Sequence, residues 1–305
     1  MIKINYKKDI ALIEDLYLKK LLSTNFGNGK NTKTVEEKFN ELKRKKPFDK
    51  IFHSINFKDL ILSQPNKLKI LILDMKSNFT PEQTKELKQV FNYTKFQPFI
   101  SSFFEEEIQI RTCSFCNIHF VNEYKDNEGS YKNEFTLDHY YDKATYPYLA
   151  LSFYNLIPSC YTCNSKLKKN KEFENLAPSS KDFRFDEKVK FKLYLDKSCK
   201  NLHIENKENI DIKLTEYYSN EYDKYIEILK LNERYKAHKD IVYEMITKAE
   251  LYPESRLKEL QNLTGIPFAQ IKKDIFNLID ENEDLSKKPF SKLIKDIGEE
   301  LGLTK

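Results

Sequence analysis

The sequence predicts an α+β protein with a small metal-stapled module between two larger regions. Three observations lead there. Apolar residues recur at helical spacing near both ends, alternation marks 191–195, 202–204 and 210–214, and two Cys-x-x-Cys couplets bracket short strand-like segments. They divide the chain into a mainly helical region 1–107, a Cys/His module 108–180, and a region 181–305 holding a small β insert followed by helices.

Taken in order, Ile10, Ile13, Leu16 and Leu21 lie near helical period, as do Val35, Phe39 and Leu42. Leu68 to Asp74 is an apolar run that fits either a strand or a buried helix. Thr80-Pro81-Glu82-Gln83 is a helix start: Thr80 caps, Pro81 suits the first turn, and Gln83 closes a capping box. Leu87, Val90 and Phe91 give that helix its apolar face. Within the module, Asn117 to Glu123 reads as a strand, Tyr124 to Ser130 as a polar loop, and Phe135 to His139 as a returning strand. Tyr140 to Asn155 is a Tyr-rich connection, and a short helix starts after Cys163. Phe191 to Leu195, Leu202 to Ile204 and Ile210 to Leu214 read as two or three antiparallel strands. Tyr222, Ile226, Leu229, Ile241, Met245 and Ile246 then mark amphipathic helices. Leu263 to Pro267 is a tight break, read as an ordinary helical hairpin in preference to a helix-turn-helix reader.

The composition is that of a folded chain: 40% of the 305 residues are hydrophobic, and 19 Tyr and 22 Phe offset the absence of Trp. The formal charge is +5, but only five of the 52 basic residues are Arg, so the basic balance reflects a Lys- and Asn-rich composition more than a nucleic-acid surface. Local clusters are more telling. Lys43-Arg44-Lys45-Lys46 reads as a solvated helix end. Lys166, Lys168, Lys169 and Lys171 lie beside the module's second couplet and are candidates for phosphate contact. The first residues are polar, and no apolar run approaches the ~20 residues of a membrane span, so a cytosolic location is expected. Reduced couplets there read as metal ligands, with Cys199 left over as a plain small residue.

The couplets are Cys113-Ser-Phe-Cys116 and Cys160-Tyr-Thr-Cys163. Four thiols at this spacing close a tetrahedral zinc shell of the structural kind, with no position open to substrate. Forty-three residues separate Cys116 from Cys160, room for a hairpin and a loop between the two knuckles. His119 is close enough to compete as a ligand, but four Cys already fill the shell. Between the couplets lies Asp138-His139, and Asn164 follows the second. A carboxylate and an amide oxygen suit a hard Mg²⁺ or Mn²⁺ ion, and a neutral imidazole suits a general base. Each residue also has a plainer reading: Asp138 as a turn cap, Asn164 as a helix N-cap, and His139 as a buried, hydrogen-bonded core histidine.

The run Cys113 to Lys168, about a fifth of the chain, resembles the zinc-stapled HNH (ββα-metal) endonucleases. The resemblance is carried by Leu137-Asp138-His139, Asn155-Leu156-Ile157-Pro158 and Cys160-x-x-Cys163-Asn164, in that order. It implies a zinc-bound ββα-metal nuclease module flanked by helical segments and a small antiparallel β insert. It implies that His139 is the general base, that Asp138 and Asn164 hold catalytic Mg²⁺ or Mn²⁺, and that Asn155 positions the loop after His139. Where some relatives carry another ligand this chain has Lys168, which departs from the pattern and leaves two protein ligands plus water. The implied activity is phosphodiester hydrolysis, of DNA before RNA, in bacterial restriction or anti-phage defence, where some relatives act beside an ATPase partner. The rival is a zinc-ribbon adaptor without catalysis, for which Asp138 and His139 have no use.

Overall fold

The computed structural model describes residues 1–6, 9–24, 32–75, 79–127, 131–173, 177–195, 204 and 206–304, with Glu123 and residues 131–133 by their backbone alone. It is a mixture of helices and small antiparallel sheets, an α+β protein. The chain forms two compact units: residues 3–114 with 120–183, and residues 184–305 with 1–2 and 115–119. No helix among the described residues is long and apolar enough to cross a membrane.

Among the described residues the first unit opens with the helices α1 (Ile10–Ser23), α2 (Val35–Lys43), α3 (Phe48–Ile51), α4 (Phe57–Leu62), α5 (Pro65–Met75), α6 (Pro81–Val90) and α7 (Tyr93–Phe103). Helix α6 starts on the expected capping box, Thr80 Oγ1 accepting from Gln83 N and Gln83 Oε1 accepting from Thr80 N. Leu68 to Asp74 is helical, within α5, with Leu68 buried while Ile70 and Leu73 face solvent. Arg44 caps the end of α2, and Lys43 Nζ donates to Ile55 O, so that basic cluster begins as a helix C-terminus. Aromatic rings make up much of this unit's interior. Tyr17, Phe103, Phe104 and Tyr154 surround Phe153 at centroid distances of 4.9–6.3 Å. Such tilted and edge-on ring pairs add to simple area burial.

Among the described residues short strands follow: β1 (Glu123–Lys125), β2 (Tyr131–Asn133), β3 (Thr136–His139) and β4 (Leu156–Ser159). The expected strand from Asn117 to Glu123 is corrected by the structure. Residues 114–119 form turns, Asn117 takes a left-handed φ of 55°, and only Phe120 makes an isolated bridge, to Thr112. A chain folding its backbone around a Cys-x-x-Cys knuckle cannot also be extended, so the strand begins at Glu123. The partner of β3 is β4, running from Thr136↔Ser159 to His139↔Leu156 in unbroken antiparallel register. A π-helical turn, Thr162–Lys168, follows β4.

The second unit is built on a hairpin of β5 (Val189–Leu195) and β6 (Ile210–Glu216), preceded by α8 (Phe185–Lys188). Helices α9 (Asp223–Ile228), α10 (Leu231–Lys236), α11 (Lys239–Leu251), α12 (Glu254–Thr264), α13 (Phe268–Phe276) and α14 (Ser291–Glu300) complete it. Of the expected middle strand, Leu202 and His203 lie outside the described residues, as does Cys199. Gly265, at φ 72°, ends α12 in a left-handed turn that any side chain would strain.

A buried charge cluster locks α14 to the hairpin. Asp296 is fully buried; its carboxylate accepts from Phe191 N at 2.8 Å and pairs with Lys292 at 2.6 Å and Lys190 at 3.2 Å. Asp296→Ala would leave the fully buried Lys292 with one counter-ion fewer, at an expected cost of about 3–5 kcal/mol, measurable by urea unfolding. Asp186, beside Lys292 at 3.2 Å and Lys295 at 2.9 Å, completes the cluster. Burial opposes its ionisation, but the ammonium groups of Lys292, Lys295 and Lys190 outweigh this and hold its pKa at about 2. A depressed carboxylate contributes stability above its unfolded pKa of about 4, lost as pH falls from there towards 2. Asp186→Asn is therefore expected to flatten the acid side of the stability curve by about 1–2 kcal/mol, read as urea midpoints between pH 2 and 6.

Candidate functional site

Two groups of side chains meet around β3, β4 and the turn at 162–168. The first is the cysteine cluster. Cys113, Cys116, Cys160 and Cys163 are all buried, none is in a disulfide, and their sulfur atoms lie within 4.8 Å of one another. A tetrahedral thiolate shell with bonds of ~2.3 Å has edges of about 3.8 Å, so the four can hold a metal ion with little movement. Ile118 N donates to Cys116 Sγ at 3.4 Å, an amide contact that favours a thiolate. Exposed His119 is not part of the cluster.

Asn117, which sequence reasoning passed over, ties the 115–119 turn to the rest of the second unit. It is fully buried; its amide donates to Leu285 O and Lys288 O, and its Oδ1 accepts from Ser291 Oγ and Lys292 N. Tyr235 Oη donates to Cys116 O at 2.6 Å. Only the position of Asn117, directly after the second knuckle cysteine, could have drawn attention to it.

The second group begins at Asp138, 2% exposed. Its carboxylate faces Lys168, whose Nζ lies 3.0 Å from Oδ2 and 3.3 Å from Oδ1 and also donates to His139 O at 3.0 Å. Burial raises the Asp138 pKa to about 7 despite the opposing pull of Lys168. Oδ2 makes no well-aligned hydrogen bond among the described residues, and the Lys168 ammonium at 3.0 Å is its counter-charge. A buried carboxylate oxygen held by a flexible cationic side chain could take a hard cation in that side chain's place. Asn164 donates its amide nitrogen to Thr136 Oγ1 at 2.8 Å, which turns the side chain towards the face of β3 that Thr136 shares with Asp138.

His139 has different partners. Its Nε2 lies 3.0 Å from Ala150 O, and since a carbonyl only accepts, Nε2 carries the proton and the lone pair is on Nδ1. Tyr93 meets the ring edge-on at 4.6 Å, and Lys143 Nζ sits 4.3 Å from the centre of the Tyr93 ring. Burial first, then the charge of Lys143, depress the imidazole pKa to about 3, so the ring is neutral throughout the physiological range. Tyr93 and Ala150 also line an open cavity of about 290 Å³ with Lys88, Asn92, Lys143 and Pro147. Tyr93 and Ala150 lie far from His139 in sequence or across a loop, and no local pattern signals them.

Asn155 is buried and spans the turn after His139: its Oδ1 accepts from Tyr141 N at 2.7 Å, and its amide donates to Tyr141 O and Leu149 O. Of the lysine cluster, Lys166, Lys169 and Lys171 are exposed. Lys168 is not with them; its helical turn aims it inward at Asp138, where 1% of the side chain is exposed. Of the tyrosines, Tyr140, Tyr148 and Tyr154 are buried as packing, while Tyr141 and Tyr146 are half-buried.

No known protein family, curated protein or solved structure matches the chain.

Proposed function

We propose that the chain is a metal-dependent endonuclease of the HNH kind that hydrolyses phosphodiester bonds in DNA, with zinc in the cysteine cluster. The observation that carries this reading is the pairing on β3 of a buried carboxylate, its charge met by Lys168, with a neutral imidazole whose tautomer is fixed by Ala150 O. A carboxylate buried against a lysine carries a desolvation cost that functional sites often bear.

His139 Nδ1 takes a proton from water as the water oxygen bonds to phosphorus, a role that requires the bound phosphate's negative charge to raise the imidazole pKa from about 3. The bond from phosphorus to the 3′ oxygen breaks, and that oxygen leaves with a proton from solvent. Held by Asp138 and Asn164, Mg²⁺ or Mn²⁺ would neutralise the scissile phosphate and the departing oxygen. Asn155 fixes the 139–141 turn, so the imidazole keeps one orientation. The cavity beside Tyr93, with Lys88 and Lys143 on its wall, offers the phosphate chain a cationic approach. Exposed Lys166, Lys169 and Lys171 add phosphate contacts without base preference. The defence role and ATPase partner implied by the resemblance belong to this same reading.

The test is to incubate purified protein with supercoiled plasmid, single-stranded DNA and RNA, with Mg²⁺ or Mn²⁺. Plasmid cleavage is expected. Cleavage of RNA alone would reassign the substrate, and binding without cleavage of any of the three would leave the adaptor reading.

A further inference from the structure

We infer that Lys168 is a resident cation in the Asp138 pocket and that it sets how tightly the pocket takes a divalent ion. The inference rests on the proposed metal site and adds a residue that controls it. Lys168 reaches β3 from the last position of the π-helical turn, where Lys169 N donates to Asn164 O, five residues back, and Lys169 itself turns at φ 53°. The wider turn and the reversal after it deliver a long cationic side chain into the interior. Its ammonium is the nearest positive charge to both Asp138 oxygens, and it is tied to the strand by His139 O. Phe173 covers it, the ring centroid 5.8 Å from Nζ.

Two cations cannot share this carboxylate cheaply. A divalent ion on Oδ2 would sit at a bond length of ~2.1 Å, while Lys168 Nζ lies 3.0 Å from the same atom. At such separations, away from bulk water, like charges repel strongly. The ion therefore has to displace Lys168 from Asp138, and its affinity is lowered by the ion pair it breaks. Lys168 also explains how a buried carboxylate is tolerated before any ion arrives. Removing its charge should cost the ion-free protein stability and raise metal affinity, two opposite effects from one substitution.

The experiment is Mn²⁺ titration of the full zinc-loaded chain, followed by the electron paramagnetic resonance of free Mn²⁺ and by thermal unfolding. Wild type, Lys168→Met, Lys168→Gln, Lys168→Arg and Asp138→Asn are compared. Lys168→Met is expected to bind Mn²⁺ ~10–100-fold more tightly than wild type, with a lower Tm without the ion and a larger rise on adding it. Lys168→Gln, which keeps a donor for His139 O, should show the same direction if the Met variant does not fold. Lys168→Arg keeps the charge and should bind no more tightly than wild type. Asp138→Asn should lose the Mn²⁺ site. Unchanged or weaker binding in the Met and Gln variants would overturn the inference, as would Mn²⁺ binding that ignores Asp138→Asn. Because binding is read without substrate, a wild type that binds Mn²⁺ yet cuts nothing would count against the nuclease reading and leave this one standing.

Discussion

Serine at Cys116 or Cys160 is expected to release zinc and unfold the module together. Zinc in a closed thiolate cage contributes ~10–16 kcal/mol at neutral pH, more than the ~5–15 kcal/mol total stability of an ordinary domain. The four sulfurs lie within 4.8 Å of one another in a fully enclosed cluster. A serine in that shell is a poor fourth ligand, and three remaining thiolates so close together repel one another without the ion. Zinc per chain by elemental analysis and secondary structure by circular dichroism should fall in parallel. Wild-type protein purified without any zinc, or a Cys116→Ser variant that loses zinc and keeps its full fold and thermal stability, would remove the cluster from its structural role.

His139→Ala should lower cleavage by ~10²–10⁴ while zinc content stays at the wild-type level. The ring donates to Ala150 O and packs under Tyr93, so its removal also opens a small void. His139→Gln controls for this, because its longer amide can reach Ala150 O from about the Nε2 position while offering no basic nitrogen. If both variants fall equally in rate and differ in stability, the loss is chemical and not a packing effect. If His139→Gln cuts at near wild-type rate, the basic nitrogen is not in the reaction.

Much of the helical framework was legible because its signals are local. The Thr80–Gln83 capping box and the alternation of β5 and β6 need only a few neighbouring residues. The four-cysteine cluster was legible for the same reason, since two couplets carry their own spacing. Strand β4 was not. It is four residues long, buried along its whole length and contains Pro158, so it shows no alternation and its Pro argues against a strand. The strand expected at Asn117 failed because a knuckle's turn takes priority over the pattern of its side chains. Asp138, His139, Asn155 and Asn164 were picked out in the sequence, but their partners were not. Lys168, Tyr93 and Ala150 reach them through the tertiary fold, and Lys168, expected to contact phosphate, is aimed inward at Asp138 by the π-helical turn.

The most direct measurement is plasmid cleavage by wild type and Asp138→Ala after brief treatment with EDTA, with zinc assayed in the same samples. Oxygen ligands hold Mg²⁺ and Mn²⁺ weakly, whereas a closed thiolate cage exchanges slowly. Cleavage should stop while zinc and secondary structure remain, and Mn²⁺ alone should restore it in wild type but not in Asp138→Ala. Asn164→Ala, which removes a neutral ligand, should be partly rescued by high Mn²⁺. Cleavage that survives EDTA, or that Asp138→Ala carries out at the wild-type rate, would place the hydrolytic centre elsewhere and contradict the account.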